Sequence, residues 1–277
     1  MSPGEDRRIA FTVQYDGAVY YGWQLQRGRP TVQGELETIF SRLFDRPARV
    51  LGSGRTDRGV HAMGQVAAVD APAKWDAPRL RRAANALLPA AVWIAHAEVV
   101  GPRFHPRFDA RVRSYIYRLG TADEAASPFH SRWCWPFCRP VDTALLHESG
   151  RRILGDHSFR AFAKAGQEER GDRCTVTRAE WREWESVGLE LSISANRFLH
   201  HMVRYLVGTM VDVASGKRPL SDLGALIEGD PGLRTSPPAP SEGLYLMRVE
   251  YEAGSYPTDG GRQEDIRDDD QRGRLIP

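Results

Sequence analysis

Apolar and polar positions alternate from the start of the chain. Ile9, Phe11, Val13 and Tyr15 are separated by polar or small residues, which predicts a half-buried strand over 8–15, ended by Asp16-Gly17. The spacing then changes to helical: Thr31 is a capping residue, and Val32, Leu36, Ile39, Phe40 and Leu43 fall on one face. Strands are expected at 47–53 and 64–70, joined by a long glycine-rich loop. Asp76 and Pro78 open a second helix with Leu80, Ala83, Ala84, Leu87 and Leu88 inward, closed by Asn85-Ala-Leu-Leu-Pro. A strand at 91–99 completes the order β-α-β-β-α-β.

The second half repeats that order without an obvious sequence repeat. A strand at 111–119 places Tyr115, Tyr117 and Leu119 on one face. A helix follows Asp142, strands are expected at 173–185 and 188–195, a helix at 197–214 and a last strand at 244–251. The pattern predicts an α+β protein of two ferredoxin-like halves, residues 1–106 and 107–253, forming a largely antiparallel sheet with helices on one side. Residues 121–140, rich in aromatics, are an insertion expected to cover the sheet. Residues 228–243 hold four prolines and predict a loop. From 254 to 277 there is no periodicity and an Asp268-Asp-Asp run, so this stretch is expected to be a disordered tail.

Composition narrows the classes. Of 277 residues, 41% are hydrophobic and 27% charged, as in ordinary globular proteins, and no apolar run reaches membrane-spanning length. The first residues carry no apolar signal core, so the protein is expected in the cytoplasm with no membrane partner. The net charge of +2 announces no polyanionic partner, but the arginines cluster: Arg79, Arg81 and Arg82, then Arg103, Arg107, Arg111, Arg113 and Arg118. Such clusters either trace phosphates or are solvated faces. Cys134, Cys138 and Cys174 match no zinc template and, being odd in number, no disulfide framework; they read as thiols, and no metal site is expected.

The candidate chemistry lies between Leu51 and Val66. Gly52, Gly54, Gly59 and Gly64 surround one carboxylate, Asp57, flanked by Arg55 and Arg58. Glycine at this density permits left-handed backbone and close approach of a ligand, and a nearby cation keeps an acid ionised. The same residues also suit a glycine-rich hairpin with a solvated Asp. However, the string Gly-Arg-Thr-Asp-x-Gly-Val-His-Ala, followed by Gly-Gln-Val, resembles the active-site signature of the tRNA pseudouridine synthase A family. Where that family usually has a small residue, this chain has Arg58. Three further stretches agree: Tyr-Asp-Gly-x-x-Tyr-x-Gly-Trp-Gln from Tyr15, the Phe- and Arg-rich run from Phe104 to Tyr117, and Asn196-Arg-Phe-Leu-His-His-Met-Val-Arg-Tyr-Leu-Val-Gly. Weaker matches at Leu154-Gly-Asp-His-Ser-Phe and Pro240-Ser-Glu-Gly-Leu-Tyr-Leu extend the likeness over residues 8–252.

The resemblance implies the pseudouridine synthase fold and isomerisation of uridine to pseudouridine at tRNA positions 38, 39 and 40, in the anticodon arm. It implies a homodimer with one tRNA spanning both subunits and no cofactor, since detaching and rejoining uracil moves no net electrons. By the same resemblance Asp57 is the catalytic carboxylate, as nucleophile or as base on the sugar; Tyr115 contacts the target base; and Arg204 pairs with Asp57. The uridine has to flip out of its stem, and Arg55, two residues from Asp57, is the candidate for filling the vacated space. His200 and His201, read as neighbours on the 197–214 helix, would point about 100° apart and face the surface or RNA. The rival readings are an RNA-binding protein that has lost catalysis and a metal-dependent hydrolase using Asp57 and His61.

Overall fold

The computed structural model describes residues 6–164 and 171–256. Its first half runs β1 (Arg7–Tyr15), α1 (Val32–Phe44), β2 (Val50–Gly52), β3 (His61–Ala71), α2 (Ala77–Asn85) and β4 (Val92–Val99). Its second half runs β5 (Val112–Gly120), β6 (Trp135–Pro136), α3 (Thr143–Arg152), β7 (Gly155–Ser158), β8 (Arg173–Trp184), β9 (Gly188–Ala195), α4 (Met202–Ala214), α5 (Ser221–Glu228) and β10 (Leu244–Glu250). The helix starts follow capping chemistry. Thr31, Asp76 and Asp142 each accept a backbone N–H of the first turn, and a proline sits at the start of α2.

All ten strands form one mixed sheet, ordered β4-β1-β3-β10-β5-β9-β8-β7, with β2 beside β3 and β6 beside β5. The first half has the ferredoxin-like order, with β1 between β4 and β3 and both contacts antiparallel. In the second half β5 lies between β10 and β9, again antiparallel. The halves join through a short parallel contact, Tyr245 with His61 and Leu246 with Ala62. Leu244 and Leu246, two residues apart and so on one face of β10, belong to the second and first hydrophobic cores respectively. Tyr115 touches both cores, which therefore meet over the middle of the sheet.

Helix α4 is apolar almost all round: Met202, Val203, Leu206, Val207, Met210 and Val211 are all buried. Each such side chain contributes about 1.5–3 kcal/mol through burial, so Met202 and Val203 anchor the first turn of α4 to the core near the loop containing Asp57.

Several elements differ from the periodicity reading. The strand expected at 64–70 begins already at His61, and its partner shrinks to three residues, Val50–Gly52. The helix expected from 197 begins only at Met202, because His201 takes a left-handed conformation at φ 66°. Strand β7 and helix α5 are additional. In the aromatic insertion, Trp135–Pro136 pairs with the end of β5, and Tyr245 Oη donates to the carbonyl of Trp133 at 2.7 Å. The chain stays packed up to Tyr256, which is 2% exposed and hydrogen-bonded to Thr12 at 2.8 Å. The rest of the expected tail, 257–277, lies outside the described residues.

Candidate active site

The loop between β2 and β3 is fastened at its base. Ser53 N–H donates to Val66 O at 2.8 Å, and Gln65 Nε2 donates to Gly54 O at 3.0 Å. Thr56, 7% exposed, is the next fixed point: its hydroxyl bonds Tyr15 Oη at 2.8 Å, and its carbonyl accepts Trp23 N–H at 3.1 Å. That second bond needs two backbones in contact. Gly22 sits at φ 90°, where a Cβ would lie 2.5 Å from Thr56 O, so only glycine fits. Asp57 follows at the start of a turn closed by Val60 N–H to Asp57 O at 3.2 Å, with Gly59 at φ 82°. The Asp57 side chain is 26% exposed and faces the second half of the molecule.

Three groups from one short segment converge on that carboxylate. His200 Nε2 lies 3.1 Å from Oδ1; His201 Nε2 and Arg204 Nη1 lie 3.2 and 3.7 Å from Oδ2. The left-handed turn at His201 makes this possible, since it sets both rings on the same side, with centroids 4.2 Å apart. This corrects the helical reading, which directed the two rings apart. A carboxylate accepts on either oxygen, so the His200 contact is a hydrogen bond when that ring carries its hydrogen on Nε2. Burial, the largest effect, pushes the His201 pKa below its ordinary value against the pull of Asp57, with His200, Arg204 and Lys164 lowering it further. Arg204 is itself anchored, donating from Nε to Ala239 O at 2.7 Å.

Tyr115 stands at the seam of the two cores and lines the same cleft, its ring edge-on to Phe198 at 5.1 Å. Burial pushes its hydroxyl up to about 12; Arg113 opposes this and Asp57 adds to it. The phenol is therefore neutral near pH 7. Tyr117, two residues on, is fully buried and donates to Pro240 O at 2.8 Å. Arg55 is exposed on the cleft rim and donates from Nε to Gln24 Oε1 at 3.1 Å. Neither Arg55 nor Arg58 comes within the 4.0 Å ion-pair range of Asp57 among the described residues; Arg204 supplies the cation expected of them.

The cleft encloses about 1080 Å³. Asp57 is its one acid among the described residues, against Arg55, Arg58, Arg107, Arg113, Lys164 and Arg197 in the lining besides Arg204. Asp57, His200 and His201 place three donor atoms within 4.8 Å of one another, a set able to ligate a transition metal. The surrounding charge opposes a divalent cation and favours an anion. His61, the partner in the hydrolase reading, is elsewhere: 1% exposed, it accepts Gly17 N–H at Nδ1 and stacks on Tyr245 at 4.7 Å. The three cysteines are free thiols, with Cys134 and Cys174 buried and pushed up to about 11 by that burial.

A large, mostly antiparallel sheet built from two ferredoxin-like halves has the architecture of the pseudouridine synthases. The sequence model described as tRNA pseudouridine synthase matches residues 11–109 and 151–252. The chain is 38% identical over 246 residues to a tRNA pseudouridine synthase A of Chlorobium luteolum, covering 88% of this chain and 96% of that one. It is 38% identical over 247 residues to that of Solibacter usitatus, covering 88% and 100%. To that of Neisseria gonorrhoeae it is 37% identical over 258 residues, covering 92% and 96%. The chain belongs to the tRNA pseudouridine synthase family.

The four residues expected from the sequence, Asp57, Tyr115, Arg55 and Arg204, all line one cleft. The contact of His200 and His201 with Asp57 was not expected from the sequence. The only available signal was the His-His pair itself, shortly before Arg204 in the chain.

Proposed function

We propose that this protein is an isomerase that converts uridine to pseudouridine in tRNA, at positions 38, 39 and 40 of the anticodon arm, with Asp57 as its catalytic carboxylate. The observation that carries the reading is the convergence of His200, His201 and Arg204 on Asp57 inside a cleft whose other charged lining residues, among the described ones, are all cations. A basic cleft attracts an RNA strand, and a single anion within it is the group left to do chemistry.

The target nucleotide flips into the cleft, because its N1–C1′ bond is out of reach inside a stem. Asp57 acts on the ribose–uracil unit, attacking the sugar or removing a sugar proton, and is required as the anion in either route. Arg204 holds that charge, and the two imidazoles fix its direction. The detached uracil turns so that C5 meets C1′. A C5–C1′ bond forms, the C5 proton leaves, and N1 takes up a proton, so the atoms balance without a redox partner. Tyr115, lining the cleft, offers its ring to hold the base; base–aromatic stacking is worth ~1–3 kcal/mol. With its hydroxyl pushed up to about 12, Tyr115 is suited to stacking and hydrogen bonding rather than to starting as a phenolate base. Arg55, on the rim, enters the space the nucleotide leaves.

The protein works in the cytoplasm as a homodimer with one tRNA across both subunits, residues 1–106 and 107–253 forming the two halves of each subunit. No helix of the described residues is long and apolar enough to cross a membrane. The test is to incubate unmodified tRNA with the purified protein and map pseudouridine. Conversion confined to positions 38–40 supports the reading; no conversion in any tRNA sinks it.

A further inference from the structure

Beside the Asp57 cleft, two cations gather on one aromatic ring. The guanidinium carbons of Arg29 and Arg58 each lie 4.5 Å from the centroid of Tyr21. Arg29 also donates from Nη1 to the Tyr21 hydroxyl at 2.9 Å. Tyr21 is a fixed platform: its N–H donates to Pro30 O at 2.9 Å, and its carbonyl accepts Gln26 Nε2 at 2.8 Å. The next two residues bind it to the catalytic loop, through the Gly22 contact with Thr56 and the hydrogen bond from Trp23.

Both guanidiniums are exposed, and among the described residues neither has a carboxylate within 4.0 Å. Other arginines of the chain are neutralised: Arg8 by Asp70, Arg118 by Glu190, Arg173 by Asp156. Arg58 is next to Asp57 in sequence yet turns to Tyr21, leaving Asp57 to Arg204. A guanidinium laid on an aromatic face keeps its N–H edge for a ligand, and that edge matches two oxygens of a phosphate. Tyr21 and Arg58 line the same cleft as Asp57, so an anion held here is adjacent to the reacting nucleotide.

We propose that Arg29 and Arg58, organised by Tyr21, form a phosphodiester-binding subsite that grips the RNA backbone next to the flipped uridine. The subsite rests on the tRNA reading above and adds a grip outside the catalytic contacts. Its ligand is the sugar–phosphate strand, so it contributes affinity and register without reading bases.

The test measures tRNA binding by the full chain as a function of salt, beside pseudouridine formation by the same wild-type preparation. For every phosphate that is no longer neutralised, the plot of log affinity against log salt becomes shallower by on the order of 0.7–0.9. Arg58→Gln is expected to lower the slope by about one such step and Arg29→Gln with Arg58→Gln by about two. Arg58→Lys should keep the slope and weaken binding, because a lysine does not lie flat on the ring. Arg151→Gln, at an exposed arginine paired with Glu148, is the control with wild-type slope. A double variant with wild-type slope and affinity, in a preparation that forms pseudouridine, overturns the subsite alone. A wild-type protein that forms no pseudouridine overturns the reading on which it rests.

Discussion

His200 Nε2 lies 3.1 Å from Oδ1 of Asp57, although 143 residues separate the two in the chain. The contact ties the loop before β3 to the start of α4, and so ties the two halves of the molecule together at Asp57. With His201 and Arg204 beside the other oxygen, at 3.2 and 3.7 Å, the carboxylate has a hydrogen bond on one side and cationic or imidazole groups on the other, and so a restricted direction. Such restraint is expected to act on turnover more than on RNA affinity. Replacing His200 by Ala should lower kcat by about tenfold, the equivalent of the one hydrogen bond it makes to Asp57, about 1.4 kcal/mol, and His201→Ala, which removes an ion-pair contact, should lower it less. The dissociation constant for tRNA should stay within about threefold. Single-turnover rates and filter binding on the same variants check this; equal losses in both would make the histidines RNA contacts instead.

Tyr115 and Tyr117 separate by environment. Tyr115 lines the cleft beside Phe198, whereas Tyr117 is fully buried with its hydroxyl on Pro240 O. Tyr115→Phe should keep most turnover if the ring only stacks, and Tyr115→Leu should lose much of it. If the hydroxyl relays the C5 proton, Tyr115→Phe should bind tRNA and stall after uracil is detached. Tyr117→Phe should cost about 1 kcal/mol of stability and little turnover. A severe turnover defect in Tyr117→Phe with an active Tyr115→Leu would move the substrate contact to the other tyrosine.

Arg113 looks from the sequence like part of a phosphate track, yet its guanidinium donates to the carbonyls of Ala110, Asn196 and Arg107 at 3.0, 2.9 and 2.8 Å. Burial lowers its pKa, with Tyr115 and Tyr251 opposing. Arg113→Gln is expected to destabilise the protein by roughly 1–3 kcal/mol and to leave the salt dependence of tRNA binding nearly unchanged. Urea unfolding and salt titration of the same variant distinguish a backbone clamp from a phosphate contact.

His61 gives a stability prediction with a definite sign. Burial, the largest effect, lowers its pKa from 6.5, with Asp16 pulling upward and Arg132 both raising it through its backbone and lowering it through its charge; Glu242 also raises it. The unfolded chain therefore binds a proton at a higher pH than the folded one. Stability is fully present above about pH 6.5 and falls as the pH drops from there toward the folded pKa. His61→Asn keeps an acceptor for the Gly17 N–H and should flatten this loss by up to one proton's worth of slope. His201 and His105, also lowered mainly by burial, supply the acid sensitivity that remains. Urea midpoints between pH 8 and 5 for wild type and variant check the difference.

Most of the fold is legible because its elements bury one face each. The alternation in 8–15 and the helical spacing after Thr31 reappear as β1 and α1, with Phe11 edge-on to Phe40 at 5.2 Å. What escapes the sequence is set by tertiary contact. His61 reads as a loop residue until it is seen stacked on Tyr245 and bonded to Gly17. The start of α4 at Met202 depends on one left-handed non-glycine residue, His201, which no periodicity announces. Arg111, Arg113 and Arg118 look alike in the chain, but Glu252, three backbone carbonyls and Glu190 take them up one by one. Partners so far away in sequence cannot be read from spacing.

Asp57 is the group proposed to perform the chemistry. The most direct measurement uses tRNA carrying tritium at C5 of uridine, incubated with wild type, Asp57→Ala and Asp57→Asn, and follows tritium release and pseudouridine at positions 38–40. Because the C5–H bond must break, wild type should release tritium in step with product. Both variants should release none above background while binding tRNA within a few-fold of wild type; Asp57→Ala guards against reversion of the amide to the acid. Turnover near the wild-type rate in Asp57→Ala would remove the carboxylate from the mechanism.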